Sequence, residues 1–152
     1  MHISLNSSNN YSDMKANELM IGDWVMNTYN RKPEQVCEIR EYMVMLAYND
    51  LYDYDEIEPI PLTSDLLERH GFERVPQPGC SNPYHWKLER RDEDGELLYR
   101  IEAYNTPFRG MFIHIYNPSA CVTFCKQIEH VHELQHALRL CGIDTEIIIK
   151  ED

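Results

Sequence analysis

Short apolar runs broken by turn residues dominate the first 62 residues of the chain. Runs at 24–26, 35–40, 43–48 and 57–62 have the length and the β-branched or aromatic content of strands. Within the second run, the spacing of the apolar positions indicates a β-bulge. Such short strands bury little surface as a flat sheet, and closure into a barrel would remove their exposed edges. The pattern therefore predicts a small, strongly bent SH3-like β unit.

A short helix is predicted to begin at Thr63 or Ser64 and to end at Gly71. Either hydroxyl can cap the free amides of the first turn, and Asp65 lies where the helix dipole favours an anion. A glycine at the end can adopt the left-handed conformation that terminates a helix. The segment 76–83 that follows holds three prolines, a glycine and a cysteine, which predicts a linker.

The remaining sequence predicts a second group of strands followed by one amphipathic helix. Asp94-Gly95 between the first two runs indicates a hairpin. The helix is expected at 129–141, with Gly142 as its stop, and a last strand is expected at 143–150. The predicted strands before the helix are 84–90, 96–104, 110–116 and 121–127.

Taken together, these elements predict an α+β fold. The expected divisions are a disordered lead-in at 1–15, an SH3-like β unit with a short helix at 16–75, and an antiparallel sheet covered by a helix at 84–152. A chain of 152 residues with 43% hydrophobic residues can form one domain or two very small ones.

Composition limits which cellular compartments and which classes of binding partner are expected. The five cysteines are odd in number and scattered, and the first 15 residues lack the basic and apolar regions of a secretory signal, so free thiols in a reducing cytoplasm are expected. No run reaches the roughly 18 apolar residues of a membrane helix. The net charge of −12 disfavours direct binding to nucleic acid phosphates and is compatible with a basic protein partner.

The stretch His132-Glu133-Leu134-Gln135-His136 matches the H-E-x-x-H signature of zinc proteases. Histidines four apart share one helix face and can bind one metal, while the glutamate can act as a base on metal-bound water. His132 and His136 are therefore the candidate zinc ligands, and Glu133 is the candidate catalytic residue.

Three observations favour an ordinary helix instead. Catalytic zinc needs a third protein ligand, and the extended protease motif would place glycine at 139 and histidine at 142, where this chain has Arg139 and Gly142. The histidines are predicted on the polar side of the helix, opposite an apolar stripe. Arg139, one turn away, would oppose a dication. Substitute ligands could come from residues elsewhere, namely His130, His114, His85, Cys121 and Cys125.

Residues 49–58 are acidic and rich in tyrosine. They lack the central glycine and the correctly spaced glutamate of a calcium loop. A solvated loop is one interpretation. The sharper one is an acidic docking patch for a basic partner, with Asp50, Asp53, Asp55 and Glu56 as the contact residues.

Four segments in this order carry a resemblance: ANELMIGDWV (16–25), IEPIPLT (57–63), GFE (71–73) and VHELQHALRLCGI (131–143). They resemble a family of short uncharacterised proteins from Bacteroides-type prophages and mobile elements, with 1–15 and 74–125 least covered. In that family the position of Glu133 is commonly glutamine, and that of His136 is not reliably histidine. The resemblance implies a bacterial or phage cytoplasmic protein. It also implies that H-E-x-x-H is a chance feature of this sequence rather than of the family, and it assigns no mechanism.

These observations predict a non-enzymatic, acidic interaction or accessory factor of a phage or mobile element, acting on a basic, nucleic-acid-binding host protein. No cofactor is expected. Two alternatives stay open. One is a minimal zinc hydrolase using the motif at 132–136, and the other is a structural phage component that would assemble with itself.

Overall fold

The computed structural model describes residues 14–47, 50–144 and 146. The chain divides into two compact units, which we call unit 1 (Met1–Pro59) and unit 2 (Ile60–Asp152). The described residues form two antiparallel sheets of five strands, one in each unit, together with two α-helices in unit 2. The predicted α+β class is confirmed.

Unit 1 is built on one sheet. Its strands are β1 (Trp24–Asn27), β2 (Pro33–Ile39), β3 (Met43–Leu46), β4 (Leu51–Asp53) and β5 (Ile57–Pro59), in the order β4-β3-β2-β1-β5. The first half of β2 pairs with β1 and the second half with β3, and the register shifts between Val36 and Glu38. The predicted bulge is confirmed, and it bends β2 where the strand changes partners. Closure into an SH3-like barrel stays a prediction.

Alternating side chains from this sheet, together with two residues that precede it, form the core of unit 1. The buried cluster consists of Met14, Leu19, Val25, Val36, Val44, Leu46 and Ile57. Met14 is only 3% exposed, although it falls within the predicted lead-in at 1–15. Residues 1–13 of that lead-in lie outside the described part of the chain.

Unit 2 places both helices on one face of its sheet. Its elements are α1 (Ser64–Arg69), β6 (Glu73–Pro76), β7 (Tyr84–Arg91), β8 (Leu97–Asn105), β9 (Met111–Asn117), β10 (Val122–Ile128) and α2 (Val131–Leu140), with sheet order β10-β9-β8-β7-β6. Trp86 Nε1 donates to Glu68 Oε1 of α1 at 2.9 Å, and Asn117 Nδ2 donates to the Cys141 carbonyl after α2 at 2.7 Å. We call this helix-covered side the inner face and the opposite side the outer face.

The helix cap, the helix stop and the hairpin turn predicted for unit 2 are confirmed at the predicted residues. Thr63 Oγ1 accepts the amide of Leu66 at 3.3 Å and caps α1. Gly71 adopts a φ of +92°, as a helix stop requires. Asp92 and Gly95 close the turn of the β7–β8 hairpin through a 3.0 Å backbone hydrogen bond.

The unit boundary differs from the predicted one. It falls between Pro59 and Ile60, so α1 belongs to unit 2. The predicted linker at 76–83 connects two paired strands, because β6 pairs with β7 and Gln77 N donates to the Pro83 carbonyl at 2.7 Å. Proline and glycine content marks a turn as readily as a linker, and only the pairing distinguishes the two.

The helix α2 begins two residues later than predicted because backbone hydrogen bonds hold the segment before it, 129–130, in an extended conformation. Leu62 N donates to the Glu129 carbonyl at 2.9 Å, and Val131 N donates to the Ile60 carbonyl at 2.9 Å. Of the predicted strand at 143–150, residues 143, 144 and 146 are described and do not form a strand, and the other five residues lie outside the described part of the chain. No helix in the described ranges has the length and apolar character needed to cross a membrane.

Candidate functional site

Three carboxylates converge where β4 turns into β5. A 3-10 turn at Tyr54–Glu56 connects these strands, so part of the stretch predicted as a loop is regular structure. One oxygen from each of Asp53, Asp55 and Glu56 lies within 4.8 Å of the other two. The Asp53 amide donates to Glu56 Oε1 at 3.1 Å, which fixes the turn. We call these three residues the acidic cluster.

Two tyrosines lie beside the acidic cluster. The rings of Tyr29 and Tyr52 are 6.2 Å apart and inclined by 37°, and Tyr29 is 72% exposed. Both the amide and the hydroxyl of Thr28 donate to the Glu56 carbonyl, at 3.1 and 2.8 Å. These bonds attach the end of β1 to the 3-10 turn and so bring Tyr29 to the cluster.

A hydrogen-bonding interaction with the Glu56 carboxylate raises the pKa of Tyr29 and lowers the pKa of Glu56, since it favours the protonated phenol and the ionised acid. The pKa of Asp53 is raised instead, first by partial desolvation and then by its hydrogen bond and charge interaction with Glu56. The negative charge of its neighbours therefore opposes ionisation of Asp53.

No described cation forms a salt bridge with the acidic cluster. The salt bridges within the described part of unit 1 are Arg31–Glu58 at 3.4 Å and Arg40–Glu38 at 2.8 Å. Residues 50–58 contain five acidic and no basic side chains. An exposed set of uncompensated carboxylates beside aromatic rings can bind a cationic side chain through charge and cation–π contacts.

Of the four contact residues predicted from sequence, the structure gathers Asp53, Asp55 and Glu56 but not Asp50. Asp50 is exposed, outside the cluster, and its carbonyl accepts the Leu46 amide at 3.1 Å. Tyr29 was not predicted, because it comes from a different hairpin and no local pattern connects it to residues 53–56. Three carboxylates that contribute one oxygen each offer fewer ligands than the six to eight oxygens that calcium usually takes.

The H-E-x-x-H residues lie on α2, but not on a solvated face. His132 is 6% exposed and Gln135 1%, so the expectation that His132 belongs to an exposed polar side was wrong. His136 is half-buried, and Leu140, which the apolar pattern did not place, is 75% exposed. The rotation of a short helix is set by what packs against it, which the polar pattern of its own sequence does not encode.

Glu133 is held by a neighbouring histidine. Its Oε1 lies 2.8 Å from His130 Nδ1, and this hydrogen bond lowers the pKa of Glu133 against the opposing effect of burial. The ring of His132 lies 5.7 Å from those of His130 and His136. The histidines are neighbours, but Glu133 is directed to His130 rather than to a space between the two candidate ligands.

The substitute zinc ligands are dispersed. His85 and His114 alternate with buried inner-face residues, and Cys125 is the direct partner of His114, so these three point to the outer face, away from α2. Cys121 lies in the turn before β10 at a φ of +52°. Only His130 lies next to His132. Among the described ranges 14–47, 50–144 and 146, the acidic cluster is the one group of three ligand atoms within 4.8 Å of one another.

Comparison of the chain with protein-family models, with curated proteins and with solved structures found no match in any of the three. Assignment of function therefore depends on the acidic cluster and on the histidines of α2.

Proposed function

We propose that this chain is a non-enzymatic binding protein that uses the acidic cluster and the adjoining Tyr29 and Tyr52 to bind a basic segment of another protein. The observation that carries the proposal is the convergence of three carboxylates on one exposed turn without a described cation to neutralise them. Holding like charges together opposes ionisation, and a bound cation relieves that repulsion.

The tyrosines add the second element of recognition. Lysine and arginine side chains present an apolar stem as well as a charge, and an aromatic ring can contact both. Tyr29 also keeps Glu56 ionised through its hydroxyl. A partner with exposed basic residues, such as a nucleic-acid-binding host protein, fits this surface. A role as an accessory factor of a phage or mobile element rests on the family resemblance.

The test is binding of a fluorescent ten-residue Lys/Arg/Ser peptide at low and at physiological salt. The triple variant Asp53→Asn/Asp55→Asn/Glu56→Gln should bind roughly tenfold more weakly at low salt, with a smaller difference at high salt because exposed charges are screened. The single variant Tyr29→Ala should weaken binding less.

A matched control removes the same charge elsewhere. Glu93→Gln/Asp94→Asn/Glu96→Gln changes three exposed acids in the β7–β8 turn and keeps Asp92, whose Oδ1 accepts the amides of Asp94 and Glu96 at 2.9 Å. Equal loss in both triple variants would mean that binding follows net charge alone, and the proposed surface would be abandoned.

The zinc hydrolase remains a second hypothesis, favoured by the 5.7 Å separation of the His132 and His136 rings. Elemental analysis of the untagged protein, compared with His136→Ala, tests it. About one zinc per chain that disappears in the variant would support the hydrolase hypothesis and call for assays of amide hydrolysis. The structural-component hypothesis predicts self-assembly, which sedimentation would detect.

A further inference from the structure

Strand β7 continues beyond the point where its pairing with β6 ends. Glu73, the first residue of β6, is the direct partner of Lys87, whereas β7 runs on to Arg91. Residues 88–91 therefore pair with β8 on one side, and no described strand pairs with them on the other. At about 3.3 Å per residue, these four residues present roughly 13 Å of open strand edge to an extended segment.

A cavity of about 340 Å³ lies beside this open edge. Its lining includes Leu88, which faces the inner side of the sheet and is 2% exposed, and Glu89, which alternates with it and faces the outer side. Side chains from both faces can line one cavity only where the cavity lies at the edge of the strand. Glu73 also lines it, so the cavity extends from the place where β6 begins.

Basic side chains outnumber acidic ones around this cavity. The lining contains three basic residues, Lys87, Arg90 and Arg91, and two acidic residues, Glu73 and Glu89. The local net charge is therefore +1, whereas the whole chain carries −12. Because charge complementarity between exposed groups acts over about 8 Å at physiological salt, the sign of the local charge decides which partner is favoured here. An anionic partner is favoured at this edge.

The acidic side chain that lies among these cations, Glu89, is already shared. Its Oε1 lies 3.8 Å from Lys87 Nζ and 3.7 Å from Arg100 Nη1, and its Oε2 lies 3.4 Å from Arg91 Nη2. Arg90 donates to the Glu89 carbonyl at 3.5 Å and forms no salt bridge with a described carboxylate. The cations that line the cavity are therefore only partly neutralised within the fold, and they can accept further carboxylates.

We propose that the edge of β7 at residues 88–91 binds an extended acidic segment of a partner protein as an added strand. The backbone of the segment pairs with the open edge, and its carboxylates contact Lys87, Arg90 and Arg91. In strand addition the main-chain hydrogen bonds give affinity and the side chains give specificity. Guanidinium groups bind carboxylates through two parallel hydrogen bonds, so acidic residues are selected. This edge belongs to unit 2 and the acidic cluster to unit 1, so the inference goes beyond the proposed function and does not depend on it.

The test is binding of a fluorescent ten-residue peptide of alternating Glu and Thr to the full-length protein, followed by fluorescence anisotropy at low and at physiological salt. The double variant Lys87→Gln/Arg90→Gln removes two cations of the cavity. It keeps Arg91, whose Nη1 donates to the Gly95 carbonyl at 3.0 Å in the β7–β8 turn. The variant should bind roughly fivefold more weakly at low salt, with a smaller difference at physiological salt because exposed charges are screened.

A matched control removes the same charge from unit 1. Arg31→Gln/Arg40→Gln changes two exposed arginines, each of which forms one surface salt bridge. This control should bind the peptide within about twofold of the unchanged protein, since surface charges far from a contact have little effect. An equal loss in both double variants would mean that binding follows net charge alone, and the proposal would be overturned.

A second peptide tests the strand pairing in the unchanged protein, where misfolding of a variant cannot imitate the result. It has the same charge, but three of its threonines are replaced by proline, which has no backbone amide to donate. It should bind roughly fivefold more weakly than the Glu/Thr peptide. Equal binding of the two peptides, or binding of neither, would overturn the proposal.

Sedimentation distinguishes a separate partner from a second copy of this chain. The unchanged protein and Lys87→Gln/Arg90→Gln should sediment alike. Self-association that disappears in the variant would identify a second copy as the occupant of the edge, and the proposal of a separate partner would be wrong.

Discussion

The acidic cluster and the histidines of α2 both come from short polar stretches of the sequence, but they differ in exposure within the fold. Asp53 at the end of β4 and Asp55 in the following 3-10 turn are both exposed, and like charges face one another there. His132 is buried, and Glu133 is bonded to His130. A polar group whose interactions are made within the fold contributes to stability, whereas an exposed group with unbalanced charge is available to a partner.

If this contrast is correct, α2 should depend on its apolar side for stability. Leu134 is 0% exposed and Leu140 is 75% exposed on the same helix. Leu134→Ala should lower the free energy of unfolding by about 2–5 kcal/mol through lost burial and a cavity, and Leu140→Ala should change it by less than about 0.5 kcal/mol. Urea unfolding followed by fluorescence measures both, and similar losses would mean that the helix faces are assigned wrongly.

Unit 1 contains a buried polar pair that tests, away from α2, whether polar groups bonded within the fold contribute to stability. Asn27 Nδ2 donates to Glu34 Oε2 at 2.6 Å, and the two residues are 1% and 5% exposed. Asn27→Ala should lower the free energy of unfolding by about 1–3 kcal/mol, because it leaves a buried carboxylate without this donor. Asn30→Ala, at an exposed position of the same turn, should have a smaller effect, and a reversal of that order in urea unfolding would contradict the rule.

The His130–Glu133 pair should give a smaller effect that depends on pH. Since the pKa of Glu133 is lowered in the fold, its contribution is present above the ordinary carboxyl range and is lost as pH falls through the lowered pKa. Glu133→Gln should therefore cost less than about 1 kcal/mol near neutral pH, after allowance for solvent screening, and nothing near pH 2. Thermal unfolding from pH 2 to 7 measures the difference. The control Glu129→Gln removes a carboxylate at an exposed position just before the helix and leaves the His130–Glu133 contact in place.

The acidic cluster should show the smallest effect on stability and a clear effect on titration. The raised pKa of Asp53 means that its ionisation removes stability as pH rises through that pKa, the opposite sign to Glu133. NMR titration of the Asp53 carboxyl should find its midpoint above the ordinary aspartate range, and Glu56→Gln should move it down. A midpoint that does not move would mean that the carboxylates do not interact, and the basis for the proposed docking surface would fall.

Much of the fold could be predicted because its signals are local. The bulge in β2, the Thr63 cap, the β7–β8 hairpin and the stop at Gly71 each depend on residues a few positions apart. The site was predicted only in part, since Asp53, Asp55 and Glu56 are close in sequence whereas Tyr29 reaches them through the pairing of β1 with β5. The division between Pro59 and Ile60 differs from the linker predicted at 76–83, because proline and glycine mark turns and linkers alike.

The sequence by itself determined where most of the strands and both helices form and that the chain carries excess negative charge, because backbone preference and net charge are properties of neighbouring residues and of composition. Only the tertiary structure decided which polar residues meet and which are buried. Strand register placed His114 between Cys125 and Glu102, and packing turned His132 inward. Register and burial are set by contacts between residues far apart in the chain, which no local pattern encodes.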